Sequence, residues 1–336
     1  MSLADNMKLS LEIGRSAWIR RRPFLVYFKP TPRCDLRCEI CSRWKQKPDP
    51  GRELPLDKIK PMLEKIRRAG GAVLTLWGGE PMLRKDLPQI LGAAKGLGYR
   101  TSICTNCNRL ERRAGEVLPH LDVLLCSLDG YGEVHDRLRG VKGLFERAVR
   151  GIRLAREQRG LTIKIWATVH RKNMDQVEKL ARLAQDLGVG IEFFPVSAIA
   201  GYNDGILPGR EELKQAFEKI MELKRSGMPV RNPDRVLRIM RDKAPFTCNF
   251  GATAIHIDHA GRVYTCENAA GEPLHAWGKY DTFDPESVFA SDGFRAVASR
   301  LRKCNLCRLP CVLELSGSLP YALAEMFFKF NRSAGL

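Results

Sequence analysis

The chain has 336 residues, 56 Lys and Arg against 38 Asp and Glu, a formal net charge of +18, and 11 cysteines. Its length and a hydrophobic content of 44% exclude a disordered or collagen-like chain and support one large or two unequal domains. An odd cysteine count excludes complete internal disulfide pairing, and a chain this long needs no disulfide scaffold. No secretory signal and no run of roughly 20 apolar residues is visible, so a cytoplasmic setting is expected. There, many thiols point to metal or redox chemistry. The charge suggests an anionic partner such as phosphate, nucleic acid or a lipid surface, with a plain basic surface as the alternative.

From residue 24 to about 197, apolar β-branched runs alternate with amphipathic stretches. The strands expected are 24–30, 72–77, 99–105, 123–129, 161–169 and 191–196. Between them, helices are expected over Leu56 to Ala69, Leu87 to Leu97, Arg109 to Leu118, Leu144 to Gln158 and Met174 to Leu187. Gly70, Gly98, Gly160 and Gly188 follow helices, where left-handed caps belong. Six such units predict a parallel α/β fold, either a partial barrel or an open sheet. Beyond Pro195 come a loop, helices over Glu211 to Arg225 and Pro233 to Arg241, and a hairpin of TAIHI and RVYTC around DHAG. One further helix is expected over Pro285 to Lys303, before a last group of cysteines.

Cys34, Cys38 and Cys41 stand in CDLRCEIC directly after the first strand, at the end where β/α proteins place active-site loops. Three thiolates on one short loop can grip three irons of a cubane and leave the fourth open. Zinc would want a fourth Cys or His nearby, and none follows before Cys104. With GGEP (Gly78 to Pro81) ending the second strand, this spacing resembles the radical S-adenosylmethionine (radical SAM) superfamily. The resemblance implies a partial (β/α)6 TIM barrel over 23–200. It implies a [4Fe–4S] cluster on Cys34, Cys38 and Cys41 whose open iron is chelated by SAM. Ile40 would pack near the adenine, and Gly78, Gly79, Glu80 and Pro81 would bind the SAM ammonium. Asn106 and Ser127, and less directly Asp129, would meet the ribose or carboxylate; ordinary strand-end turn residues are the alternative. Reductive cleavage of SAM would then yield a 5′-deoxyadenosyl radical that abstracts hydrogen from an unactivated C–H bond, with electrons from a flavodoxin- or ferredoxin-type donor.

Cys248, Cys266, Cys304, Cys307 and Cys311 form a second set, a hairpin pair plus a distant C-x-x-C, suited to Fe–S or zinc. The set resembles the SPASM and twitch auxiliary-cluster extensions of radical SAM enzymes. Five cysteines cannot hold two four-iron clusters, so one auxiliary [4Fe–4S] cluster is expected, on Cys248, Cys266, Cys304 and Cys307, with Cys311 as competitor or free thiol. The implied organisation is a basic segment over 1–22, the barrel over 23–200, a helical linker over 201–244, a small hairpin/helix twitch-like domain over 245–315 and an apolar-aromatic tail over 316–336.

Cys107, in a C-x-x-C with Cys104, falls above the third strand, where a thiol could give a hydrogen atom to a substrate radical; simple packing is the alternative, and Cys126 reads as core. His256, Asp258 and His259, and His135 with Asp136, read as solvated turn residues, with metal or acid/base roles as the alternative. Arg137 or Arg139 could meet a carboxylate or phosphate. WIRRRPF and PYALAEMFFKF, if juxtaposed, would permit a peripheral membrane contact; packing on the barrel is the alternative. Spread basic residues and no RNA-binding motif argue against nucleic acid. The expected function is hydrogen abstraction from a small-molecule or lipid substrate, anionic if the charge is meaningful, giving dehydrogenation, C–C bond formation or rearrangement. The alternatives are a SPASM-type maturase of ribosomal peptides and, in another class, a non-enzymatic Fe–S or zinc module.

Overall fold

A computed structural model of the chain describes residues 11–16, 22–45, 52–268 and 270–316. Strands β1 (Leu25–Phe28), β2 (Val73–Leu76), β3 (Arg100–Thr105), β4 (Val123–Ser127), β5 (Thr162–Val169) and β6 (Gly190–Pro195) pair in parallel, each with the next. Helices α1 (Leu56–Arg68), α2 (Leu87–Gly96), α3 (Leu110–Val117), α4 (Glu133–Arg139), α5 (Leu144–Arg156) and α6 (Val177–Asp186) cross between them. In α5, Leu144, Phe145, Ala148, Val149, Ile152 and Ala155 are buried at three- and four-residue steps, which seats one face on the sheet. The four glycines read as helix stops all have positive φ, from 62° at Gly188 to 121° at Gly70. Helix α4 was not expected; it runs only between Gly132 and Gly140, too short for its period to stand out.

Strand alternation gives the curled sheet two distinct faces. Ile103, Leu124, Cys126, Ile165, Ile191 and Phe193 point outward into one core shared with the helices. Thr75, Arg100, Ser102, Leu125, Lys164, Trp166 and Glu192 point inward and line a cavity of about 130 Å³. Such polar inward side chains suit the lumen of an open barrel. Within it, Lys164 Nζ and Trp166 Nε1 each donate to Glu192 at 2.9 Å.

The C-terminal third continues the same sheet. Strand β7 (Ala254–Ile257) pairs in parallel with β1, Leu25 opposite Ala254, and then β8 (Arg262–Tyr264) and β9 (Ala276–Lys279) follow antiparallel. The nine strands therefore run β6-β5-β4-β3-β2-β1-β7-β8-β9. The expected hairpin is present, but its first strand also covers the free edge of the barrel, and β9 was not foreseen. Helices α7 (Arg210–Arg225) and α8 (Asp234–Asp242), expected as a linker, lie against the barrel's flank. Between them Val230 makes a parallel bridge to Ile191. After the short α9 (Phe250–Thr253), the long helix expected from Pro285 appears as two, α10 (Pro285–Ala290) and α11 (Asp292–Leu301). Ser291 is extended between them and accepts the Phe294 N–H at 3.1 Å, which caps the second helix. The last described helix, α12 (Pro310–Glu314), brings Cys311 and Glu314 to the inner end of the lumen. No helix among the described residues is long and apolar enough to cross a membrane. Most of the basic N-terminal segment and the aromatic tail, with the membrane contact suggested for them, lie outside the described residues.

Candidate active site and second cysteine cluster

The loop from Arg33 to Cys41 leaves the end of β1 and is held by polar side chains on every side. Asp35 accepts from Asn106 Nδ2 (2.9 Å), Asn108 Nδ2 (3.0 Å) and Arg109 Nε (2.9 Å), which ties the loop to the end of β3. The Glu39 N–H donates to the Leu138 carbonyl, and Tyr202 donates its hydroxyl to the carbonyls of Cys38 (2.9 Å) and Cys41 (3.0 Å). Leu36 and Cys38 are buried against Leu144. Burial lifts the Cys34 thiol to about 12 and the Cys38 thiol to about 11; for Cys38 the Arg139 cation opposes the rise. Arg139 is itself buried and bound to Asp129 through Nε (2.7 Å) and a second guanidinium nitrogen (2.6 Å). A buried cation beside a thiol loop favours the negative charge that thiolates and a thiolate-bound cluster carry.

GGEP docks on this loop. The Gly79 N–H donates to the Thr31 carbonyl and the Glu80 N–H to the Arg33 carbonyl at 2.7 Å. A Cβ at Gly79 would collide with the Arg33 carbonyl, so no other residue permits this approach. The Glu80 carboxylate accepts from Met82 N–H (2.9 Å), Asn106 N–H (2.8 Å) and Thr105 Oγ1 (2.8 Å), and burial raises it to about 7 against those bonds. With its carboxylate so committed, Glu80 joins β2 to β3, and the glycine backbone is the part of the motif suited to a ligand's ammonium. Ile40 faces a cavity of about 150 Å³ with Cys41, Arg43, Thr168, Phe194 and Val196, an apolar slot of the kind an adenine needs. Ser127 sits beside Cys104, sulfur to oxygen 3.9 Å, on the inner face.

The structure corrects three expectations. Cys107 does not face the barrel mouth: its φ of 64° turns the side chain into the core, where it is fully buried. There its thiol meets Cys126 and the Thr105 carbonyl, so it packs rather than reacts. His135 is no solvated turn residue but fully buried, accepting the Asp129 N–H at Nδ1 (3.2 Å); burial lowers it to about 4. His256 is buried between Tyr27 and Tyr264, ring centroids 5.2 and 5.4 Å away, and burial lowers it to about 3. Asp258 does serve as a turn residue, accepting from the Ala260 and Arg262 N–H groups.

In the second set, Cys248, Cys266, Cys304 and Cys307 come together against Phe250, Val312 and Leu315. Burial pushes Cys266 and Cys307 up to about 12, and the neighbouring thiols push the same way. Cys311 belongs to the same group, close to Cys307, but also turns toward the lumen. Its thiol bonds Tyr27 beside Glu192 and Glu314 and lines the lumen cavity. Among the described residues no three His, Cys, Asp or Glu side chains close on a single metal ion, so the fit is judged on the donors. Three thiols on a loop beside a buried guanidinium, and four thiols grouped in an apolar pocket, are the donor sets that iron–sulfur clusters use. Asp35, Arg139, Tyr202, Lys29, Arg43 and Glu267 complete the surroundings. Of these, only Arg139 was singled out from sequence, because the others act across long separations that no local pattern records.

The Radical SAM superfamily profile matches residues 28–184, which covers β1 through α6. The AdoMet-dependent heme synthase of Oleidesulfovibrio alaskensis is 28% identical over 319 residues, 87% of this chain and 80% of that protein. The Fe-coproporphyrin III synthase of Methanosarcina barkeri is 28% identical over 207 residues, 60% of this chain but only 51% of that protein. Among solved structures, Streptococcus suis SuiB bound to S-adenosylmethionine aligns with TM-score 0.68 at 18% identity, covering 84% of this chain and 68% of that one. SuiB bound to the precursor peptide SuiA aligns equally well, TM-score 0.68 at 17% identity, over 90% and 74%. The barrel is therefore a radical SAM domain. The chain carries a radical SAM domain and is an enzyme that uses SAM and a [4Fe–4S] cluster, and its C-terminal third shares the fold of SuiB. When bound, SAM and the cluster would supply a 5′-deoxyadenosyl radical, and the protein's own part would be to seat, orient and enclose.

Proposed function

We propose that Cys34, Cys38 and Cys41 hold the SAM-binding cluster, and that Ile40, Gly78 to Pro81, Asn106 and Ser127 shape the SAM site, Asn106 through its hold on Asp35. In this reading Cys248, Cys266, Cys304 and Cys307 hold one auxiliary cluster and Cys311 stays outside it. The substrate is a small carboxylate-bearing molecule of the tetrapyrrole kind, and an external flavodoxin- or ferredoxin-type protein provides electrons. The observation that carries the substrate class is the 319-residue match to a heme synthase, which runs through the barrel and the auxiliary region alike. A second cavity of about 140 Å³ lies beside Gly79, lined by Lys29, Arg43, His259, Arg262 and the Asp258 that pairs Arg262. Peptide maturation is the competing reading, favoured by the SuiB likeness.

The test is anaerobic reconstitution followed by iron counting and a 5′-deoxyadenosine assay. About eight irons per chain are expected. Release of 5′-deoxyadenosine should rise when iron coproporphyrin is added, and not with peptides. Stimulation by a precursor peptide alone would overturn the tetrapyrrole reading, and no SAM cleavage at full iron loading would overturn the cluster assignment.

A further inference from the structure

Glu267 directly follows Cys266, and only 6% of its side chain is exposed. Its carboxylate accepts from the Lys29 ammonium, the Arg43 guanidinium and the Tyr264 hydroxyl (2.8 Å). The two cations belong to the two arms of the SAM site. Lys29 lies just past β1, and a Cβ on Gly78 would come within 2.8 Å of its side-chain stem. Arg43 lies two residues past Cys41 and lines the Ile40 cavity. Both cations also rest over the ring of Trp77, the residue before Gly78, at 5.1 and 5.2 Å from its centroid. From above, the loop after Cys266 presses on Arg43. A Cβ on Gly271 would sit 2.8 Å from a guanidinium nitrogen, so that glycine makes room for the cation.

One carboxylate from the auxiliary loop thus holds both the cysteine loop and the glycine turn. Without its charge, the Lys29 and Arg43 cations beside Trp77 would repel each other with only Asp258 left near Lys29 to offset it. The segment from Cys41 to Arg43 would be the easier part to move, because it belongs to no long helix or strand.

We propose that Glu267 is a positioning residue that couples the two clusters. Assembly around Cys266 seats Glu267, and Glu267 sets Arg43 and Lys29 and through them the site that receives SAM. This rests on the assignment of Cys266 to the auxiliary cluster and of Cys34, Cys38 and Cys41 to the SAM cluster.

The test uses the reconstituted full chain and titrates SAM against the electron paramagnetic resonance signal of the reduced SAM cluster. Glu267→Gln should keep the full iron count, at a lower unfolding temperature, and need at least tenfold more SAM to shift that signal. Glu267→Asp should recover part of the loss. Gly271→Ala, which crowds Arg43 without changing any charge and also strains a backbone at φ 89°, should weaken SAM by severalfold, and Gly271→Asn, better suited to that φ but equally crowding, should do the same. Glu286→Gln, in a surface pair with Arg22, should change nothing. Cys266→Ala should lose about four irons and show the same weakened SAM response. Native SAM titration in both Glu267→Gln and Gly271→Ala overturns the coupling; if Glu267→Gln fails to fold, Gly271→Ala decides alone. Full iron in Cys266→Ala would instead overturn the ligand assignment, a separate result.

Discussion

Cys38 sits beside a buried guanidinium, whereas Cys266 and Cys307 sit beside other thiols. Burial raises all three and neighbouring cysteines add to each rise, but at Cys38 a cation, Arg139, pulls the thiol down, more strongly than Cys41 lifts it. The first loop is pinned by amide and charged side chains at Asp35, with the Arg139 guanidinium beside Cys38. The second group is packed among Phe24, Leu25, Phe250, Val312 and Leu315. A polar-pinned loop can keep its shape while one iron is open to exchange a ligand. A thiol group in an apolar pocket must lose its protons to metal as it folds, so its metal and its stability are one quantity.

Removing the proposed ligands separates the two regions most strongly. Cys38→Ala should leave about four irons and abolish 5′-deoxyadenosine release, a loss of at least about 10³-fold, with modest loss of stability. Cys304→Ser with Cys307→Ser should also leave about four irons, but lower the denaturation midpoint far more than Cys38→Ala does. Equal destabilisation by the two would erase the distinction drawn here. Arg139→Met comes next. It strips the buried Asp129 carboxylate of its partner, at a cost of about 3–5 kcal/mol, and denaturant titration should register it. The auxiliary cluster's spectrum should stay as it is while the SAM cluster's broadens.

The same contrast explains what could be read in advance. The six strands, the cysteine spacing and GGEP lie in short stretches whose period or spacing repeats within a few residues. The partners that pin the first loop do not. Tyr202 reaches Cys38 from 164 residues away, and Asn106 reaches Asp35 from 71. The AIHI strand was legible as half of a hairpin, but nothing in four apolar-rich residues says that their other edge pairs with β1. That hidden pairing is also why His256 was misread: a residue expected near a turn lies between Tyr27 on β1 and Tyr264 on β8, covered on both sides.

His256 sharpens the comparison through pH. Its ordinary value near 6.5 falls to about 3 in the fold. Above 6.5 it is neutral in both states and costs nothing. As pH drops below 6.5, the unfolded chain takes the proton first and the fold loses stability. Between pH 6.5 and 5 this amounts to about 2 kcal/mol, and a His256→Phe variant should flatten that part of the stability curve. A parallel curve for variant and parent would mean that the ring is protonated without penalty and the aromatic stack is looser than described.

The smallest effect expected belongs to Cys107, and it discriminates well for that reason. A thiol that gives a hydrogen atom to a substrate radical must reach within contact of it. Cys107 is sealed in the core, held there by a positive φ that points it away from the mouth, with its sulfur 3.7 Å from the Thr105 carbonyl. Cys104, three positions earlier, faces the lumen beside Ser127. Cys107→Ala removes one buried sulfur and leaves a void of about methyl size, worth about 1 kcal/mol. Product formation per 5′-deoxyadenosine released should stay within about twofold of the parent. A collapse of that ratio with unchanged 5′-deoxyadenosine release would mean that the β3 turn opens during turnover and that the thiol reaches the radical after all.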